Sequence, residues 1–158
     1  MLKFPPRPIL RAPNKRLVHY IAVALRRIRR RIEHLGVKLT VKGAVAAIRE
    51  GGVLNGLAHI TGGGITENLP RMLPGGCGAE VSLSAWSLPP VFQWLQGQGG
   101  IEEGELLKTF NCGIRMIAAV PEDRVEVATS AFEDDGHDVT VIGRVTEGDG
   151  VVYRGQLS

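Results

Sequence analysis

Leu57–Pro74 reads LAHITGGGITENLPRMLP, a strand, a turn and a helix in eighteen residues. The run Gly56–Ile60 is short and apolar and stops at Thr61-Gly62-Gly63-Gly64, the pattern of a buried strand opening into a turn. Ile65, Leu69, Met72 and Leu73 then recur at helical spacing. Pro70 divides that helix into two short turns. Glycines let the main chain take positive φ and approach a ligand closely, and a helix start behind them offers unpaired N–H groups to an anion. An ordinary tight turn needs the same glycines, so the triplet alone decides nothing.

Downstream, helices and strands alternate. Gly75–Gly78 reads as a loop and Ala79–Leu83 as a strand. Ser87 is placed to cap a helix with Pro89 and Pro90 in its first turn and Val91, Phe92, Trp94 and Leu95 as its packing face, ended by Gly97–Gly100. Ile101–Phe110 reads as a helix with acids early and Lys108 late, matching the helix dipole. Gly113–Val120 is a buried strand. Pro121, Glu122 and Asp123 open a helix to Asp134, with Val125, Val127, Ala128, Ala131 and Phe132 available to pack, and Gly136 ends it. Val139–Val145 alternates like a strand, and Val151–Leu157 is expected to pair with it through the turn Glu147-Gly148-Asp149-Gly150. Upstream, Val41–Glu50 reads as a short helix stopped by Gly51-Gly52, and Leu54–Ile60 as the first strand. A mixed sheet covered by helices, an α+β domain, fits this order.

Charge divides the chain sharply. Residues 1–42 hold 12 basic residues against one acid, Glu33, a balance of +11, while residues 43–158 hold 7 against 15, a balance of −8. The formal +3 of the 158-residue chain describes neither piece. An asymmetry of this size marks a boundary near residue 40. Pro5, Pro6, Pro8 and Pro13 make the first fifteen residues extended or disordered by expectation. Leu17, Ile21, Leu25, Ile28, Ile32 and Leu35 then fall at helical spacing beside Arg26, Arg27 and Arg29–Arg31, the form of a basic amphipathic helix. Its apolar core is too short to span a bilayer, and the absence of serine weakens a transit-peptide reading.

Four ordered blocks over residues 41–154 carry a resemblance. AHITGGG followed by ENLPR, WSLPPVFQW (Trp86–Trp94), EEGELLKTFNCGIRM (Glu102–Met116) and HDVTVIGRV (His137–Val145) together resemble the carboxy-terminal domain of aminoimidazole ribonucleotide synthetase, or phosphoribosylformylglycinamidine cyclo-ligase. The resemblance implies that domain's α+β fold and an ATP-dependent ligase of purine biosynthesis. It also implies ATP and Mg as the full family's cofactors, formylglycinamidine ribonucleotide as substrate and a family homodimer. The family enzyme is about twice this length, so the chain reads as a fragment whose partner is the missing amino-terminal nucleotide-binding half, and as inactive alone. Residues 1–40 resemble nothing in the family and read as a leader foreign to the fold. The alternatives are a degenerate fragment whose leader binds nucleic acid or membrane, or another superfamily member, selenophosphate synthetase-like or thiamine-phosphate kinase-like. Nucleic acid is not the expected partner, and the expected location is cytoplasmic.

The chemistry implied by the resemblance needs a phosphate anchor, stabilisation of charge on an activated oxygen, and proton removal from a ring nitrogen. His59 sits at the carboxyl end of its strand, where ligands gather in α/β sheets, and is the catalytic candidate; a core histidine is the plain alternative. Thr61, Gly62, Gly63 and Gly64 are candidates to hold the phosphate. Glu67 and Asn68 are candidates for polar substrate contacts or for capping backbone. Arg71 suits either a phosphate or an ion pair with Glu67. Asn111 and Gly113 are candidates beside the inter-domain cleft, or turn formers. Arg115 stands where the family pattern has a second glycine, and Cys112 where it has Met. Cys77 and Cys112 lack ligand spacing and read as free thiols of a reducing compartment. No metal site and no phosphate-binding loop of the GxxxxGK type are expected.

Overall fold

The computed structural model describes residues 19–22, as backbone, and 53–158. The expected helix at Val41–Glu50 and most of the basic segment lie outside them. Six strands form one mixed sheet: β1 (His19–Ala22), β2 (Gly56–His59), β3 (Cys77–Ser82), β4 (Met116–Pro121), β5 (Val141–Glu147) and β6 (Val151–Arg154). Their order across the sheet is β2-β4-β1-β5-β3-β6. Every pairing is antiparallel except β3 with β6. The described helices are α1 (Gly64–Asn68), α2 (Pro90–Gly99), α3 (Glu103–Thr109) and α4 (Val125–Asp134). The expected α+β architecture is the one observed.

The two faces of the sheet are filled separately. On one, Ala58, Ile60, Val81, Ile117 and Ile142 meet Ile65 and Leu69 of α1 and Leu106 and Leu107 of α3 in the larger apolar cluster. On the other, Ala118 and Val120 meet Ala128 and Phe132 of α4. Alternation along β4 explains the division, because successive side chains point to opposite faces. Ala128 and Phe132, four residues apart, form the stripe by which α4 docks.

Several expectations are corrected. His19–Ala22, read as part of an amphipathic helix, is a strand hydrogen-bonded on both sides, to β4 and to β5. Those residues lie within the segment read as a leader; ladder pairing on two edges outweighs the helical spacing there. The hairpin expected between the last two strands does not form. β3 lies between β5 and β6, and the Gly148–Gly150 turn crosses over its start, with Gly148 N donating to Gly76 O and Ala79 N to Gly150 O. The strand at Val151 ends at Arg154 rather than Leu157; the tail is held instead by Leu157 N donating to Glu103 Oε2 and Leu88 N to Ser158 O.

Ser87 does not cap α2, which begins after Pro89 with no side-chain cap. Val91 and Trp94 of its expected packing face are 56% and 63% exposed, while Phe92 alone of the four joins the core margin. Val127 of α4 is likewise exposed. The strand expected from Gly113 starts at Met116 because Asn111–Ile114 is folded into a turn. The ENLPR segment does form two short turns, α1 and a 3-10 turn at Pro70–Met72.

Candidate functional site

β2 ends at His59, and the chain reverses through Thr61–Gly64 into α1. Gly64 N donates to Thr61 O and Glu67 N to Gly63 O, leaving the amides of Gly62 and Gly63 outside the turn's own bonds. The three glycines differ in kind. A Cβ on Gly62 would have nothing within 4 Å, so this residue faces open space. A Cβ on Gly63 would lie 2.7 Å from Glu67 Oε2. At Gly64, with φ +56°, a Cβ would sit 1.9 Å from Leu107 O, so the third glycine exists to let α1 rest on the end of α3.

His59, Thr61 and Gly62 are exposed at this end of the sheet. Asn68, one of the described core's few polar side chains, is turned inward: its Nδ2 donates to Gly62 O at 3.0 Å and Gly64 O at 2.8 Å. It thus clamps the two ends of the glycine turn, and its Oδ1 accepts a bond from Arg71 Nη1 at 3.2 Å. Arg71 Nη2 also lies 3.8 Å from Glu67 Oε2. Glu67, Asn68 and Arg71 therefore form one internal brace beneath the turn. The Glu67–Arg71 pair is exposed on both sides and worth little by itself; the buried amide is the part that fixes the geometry.

Asn111 and Gly113 form a second turn. Asn111 Oδ1 accepts Gly113 N, and its carbonyl accepts Ile114 N. Gly113, at φ +93°, has the Pro89 ring where a Cβ would be, 2.6 Å away. Between them Cys112 takes φ +50°, and its carbonyl accepts Trp86 Nε1 at 3.0 Å. Burial, and then the nearby Glu103 carboxylate, push the Cys112 thiol up to about 11. Cys112 is fully buried and Cys77 half-buried, both as free thiols. The two turns meet through α3, which α1 packs against.

Sequence reasoning missed Thr66, Tyr153 and Glu103. Thr66 Oγ1 shares a 2.9 Å bond with Tyr153 OH and lies 3.3 Å from Leu107 O, tying α1 to both β6 and α3. Burial pushes the Tyr153 phenol up to about 12, partly countered by that bond from Thr66. No spacing signal links these residues, which stand 87 positions apart.

Among the described residues no three His, Cys, Asp or Glu side chains converge on a common point that could hold a metal. An open acidic cavity of about 480 Å³ lies at the start of α4, lined by Glu122, Asp123, Val125, Glu126 and Val141. It is at the far end of β4 from His59, and its carboxylates would repel a phosphate. No described helix is long and apolar enough to cross a membrane.

The sequence matches the family described as AIR synthase related protein, C-terminal domain, over residues 27–155, and the chain belongs to that family. Solved structures share the fold. HypE of E. coli, a hydrogenase maturation protein, superposes with a TM-score of 0.61 at 23% identity, covering 88% of this chain and 46% of its own. T. maritima PurL complexed with AMPPCP gives 0.62 at 19%, covering 90% and 24%, and the same protein complexed with FGAR gives 0.64 at 15%, covering 90% and 26%. Thiamine-monophosphate kinase of Stenotrophomonas maltophilia gives 0.53 at 12%, covering 90% and 52%. The chain spans about half or less of the length of these proteins.

Proposed function

We propose that this chain is the substrate-side domain of an ATP-dependent phosphoribosylformylglycinamidine cyclo-ligase, with the ribonucleotide phosphate held at the Thr61–Gly63 turn. The observation that carries the reading is the open, clamped turn: Gly62 faces empty space while Asn68 holds its carbonyl and that of Gly64. A preorganised backbone whose Gly62 and Gly63 amides have no partner among the described residues suits an oxyanion, because no reorganisation is needed when the ligand arrives. The AHITGGG–ENLPR strings support the cyclo-ligase specifically, and relatives complexed with FGAR and AMPPCP support a ribonucleotide and an adenine nucleotide as the ligand classes.

In the proposed reaction the γ-phosphoryl of ATP passes to the formyl oxygen of formylglycinamidine ribonucleotide, releasing ADP. The ring nitrogen then attacks the activated carbon, phosphate leaves with that oxygen, and the nitrogen loses a proton. His59, exposed at the end of β2 beside the turn, is assigned to orient the amide and take that proton as a neutral imidazole. Thr61, Gly62 and Gly63 hold the substrate phosphate. Gly64, Glu67, Asn68 and Arg71 support the turn, and Asn111 and Gly113 support the neighbouring strand. With no three metal-ligating side chains converging among the described residues, the Mg and most ATP contacts are assigned to the amino-terminal half found in the family enzyme.

The test is calorimetry of formylglycinamidine ribonucleotide with the full chain, since residues 19–22 form a strand within the sheet. The expected result is saturable binding that Gly62→Val abolishes and His59→Ala weakens. Binding of thiamine monophosphate in its place would support the kinase-like alternative, and binding of neither would overturn the phosphate-turn reading.

A further inference from the structure

The sequence leaves Arg71 suited to a phosphate or to Glu67, and the brace described above occupies its guanidinium with Asn68 and Glu67. Its charge is already paired with the Glu67 carboxylate, 3.8 Å from Nη2. Arg124, Arg144 and Arg154 are likewise each held by a carboxylate, the last two by Glu80. Arg115 differs. It is exposed, and its side chain has no hydrogen bond or ion pair within the described residues.

Its position beside the open turn is firm. The Arg115 carbonyl accepts Ile60 N at 2.9 Å, which extends the β2–β4 register one pair beyond His59 opposite Met116. Residue 115 thus lies alongside the residue that immediately precedes Thr61. Its backbone is anchored by fully buried Ile114 on one side and by β4 on the other. A fixed base under a guanidinium with no carboxylate partner among the described residues suits a phosphate contact, and the planar fork pairs two oxygens at once.

We propose that Arg115 pairs with the phosphate monoester of the ribonucleotide bound at the Thr61–Gly63 turn. This rests on the reading of that turn given above and adds to it a cation that has no carboxylate partner among the described residues. In the resembling family pattern a glycine stands at this position, so Arg115 would make phosphate recognition in this chain partly a side-chain affair.

The full chain, Arg115→Gly, Arg115→Lys and Gly62→Val are titrated by calorimetry with formylglycinamidine ribonucleotide and with its dephosphorylated riboside. Arg115→Gly is expected to weaken the ribonucleotide roughly ten- to hundredfold, the range of one charge-assisted hydrogen bond, and to leave the riboside unchanged. Arg115→Lys is expected to fall between, keeping the charge and losing the fork. Arg115→Gly binding the ribonucleotide as tightly as wild type, while Gly62→Val abolishes it, would overturn the role of Arg115 and leave the turn's role standing. Equal loss of ribonucleotide and riboside would overturn it too, since the residue would then act on shape. Absence of binding by wild type would overturn both.

Discussion

The chain contains two glycine turns of similar build, and they have opposite fates. Thr61–Gly64, held by Asn68, has Gly63 and Gly64 at positive φ, Asn111–Gly113 has Gly113, and each sits at the junction of a sheet strand with a helix. The second is shut. The Pro89 ring fills the space over Gly113, and the Trp86 indole holds the carbonyl of Cys112. The first is half shut: Gly64 is pressed onto α3, but Gly62 faces empty space. Sequence composition does not distinguish the two, since an asparagine and a glycine serve equally to close a turn and to cradle a ligand. Which one is available to a ligand depends on what the rest of the fold lays over it.

The sharpest way to break this comparison is Gly64→Ala. A Cβ 1.9 Å from Leu107 O, on a residue with positive φ, has no room, and the expected loss is about 3 kcal/mol or more. Urea unfolding at wild-type midpoint would show that α1 and α3 do not meet as described. Gly113→Ala is expected to cost somewhat less, roughly 2 kcal/mol, because a proline ring can shift where a backbone carbonyl cannot.

Asn68→Ala removes the clamp and takes the amide donor from the buried Gly64 carbonyl and the part-buried Gly62 carbonyl, for an expected loss of about 2 kcal/mol together with weaker ligand binding. Asn68→Asp, which removes the donating amide and adds a buried charge, should be no better; recovery of stability in that variant would contradict the clamp.

A smaller effect is pH-dependent. The Cys112 thiol is raised from 9 to about 11 in the folded chain and the Tyr153 phenol from 10 to about 12. The folded state therefore keeps these protons over a range in which the unfolded chain has lost them. Their contribution is fully present below pH 9 and falls as pH rises through 9 to 12. Denaturation midpoints measured at pH 8 and 10 should decline in wild type and decline less in Cys112→Ala. Slow reaction of Cys112 with iodoacetamide at pH 8, relative to half-buried Cys77, is the companion expectation. The smallest effect on stability belongs to Gly62→Val, expected within about 0.5 kcal/mol of wild type because nothing lies near its Cβ. A large loss of stability there would mean that the open side of the turn is packed after all.

Much of the fold was legible. The strand before the glycines, the Pro70 break, the acid-to-lysine polarity of α3 and the Ala128–Phe132 stripe of α4 are local signals, and each stands where its periodicity places it. The failures were non-local. Val151–Arg154 carries every sign of a hairpin partner for β5, yet a strand from some 70 residues earlier takes the position between them. The apolar face of α2 reads as a packing face because Val91 and Trp94 fall at helical spacing, but spacing cannot say whether anything stands opposite. At His19–Ala22 a helical stripe is overridden by hydrogen bonds to two strands nearly 100 and 120 residues away.

The candidate site divides along the same line. Local sequence alone requires that a strand end just before Thr61, that three glycines turn the chain, and that a short helix broken by Pro70 follow, because backbone freedom and side-chain period are properties of neighbouring residues. What each of those residues touches followed from the packing of distant elements. Asn68 became a clamp, Gly64 a contact surface for α3, and Arg71 a partner of the preceding helix α1, while Arg115, beside the turn, has no partner among the described residues. The physical reason is that burial and charge compensation depend on which distant elements pack together, and no local spacing encodes that choice.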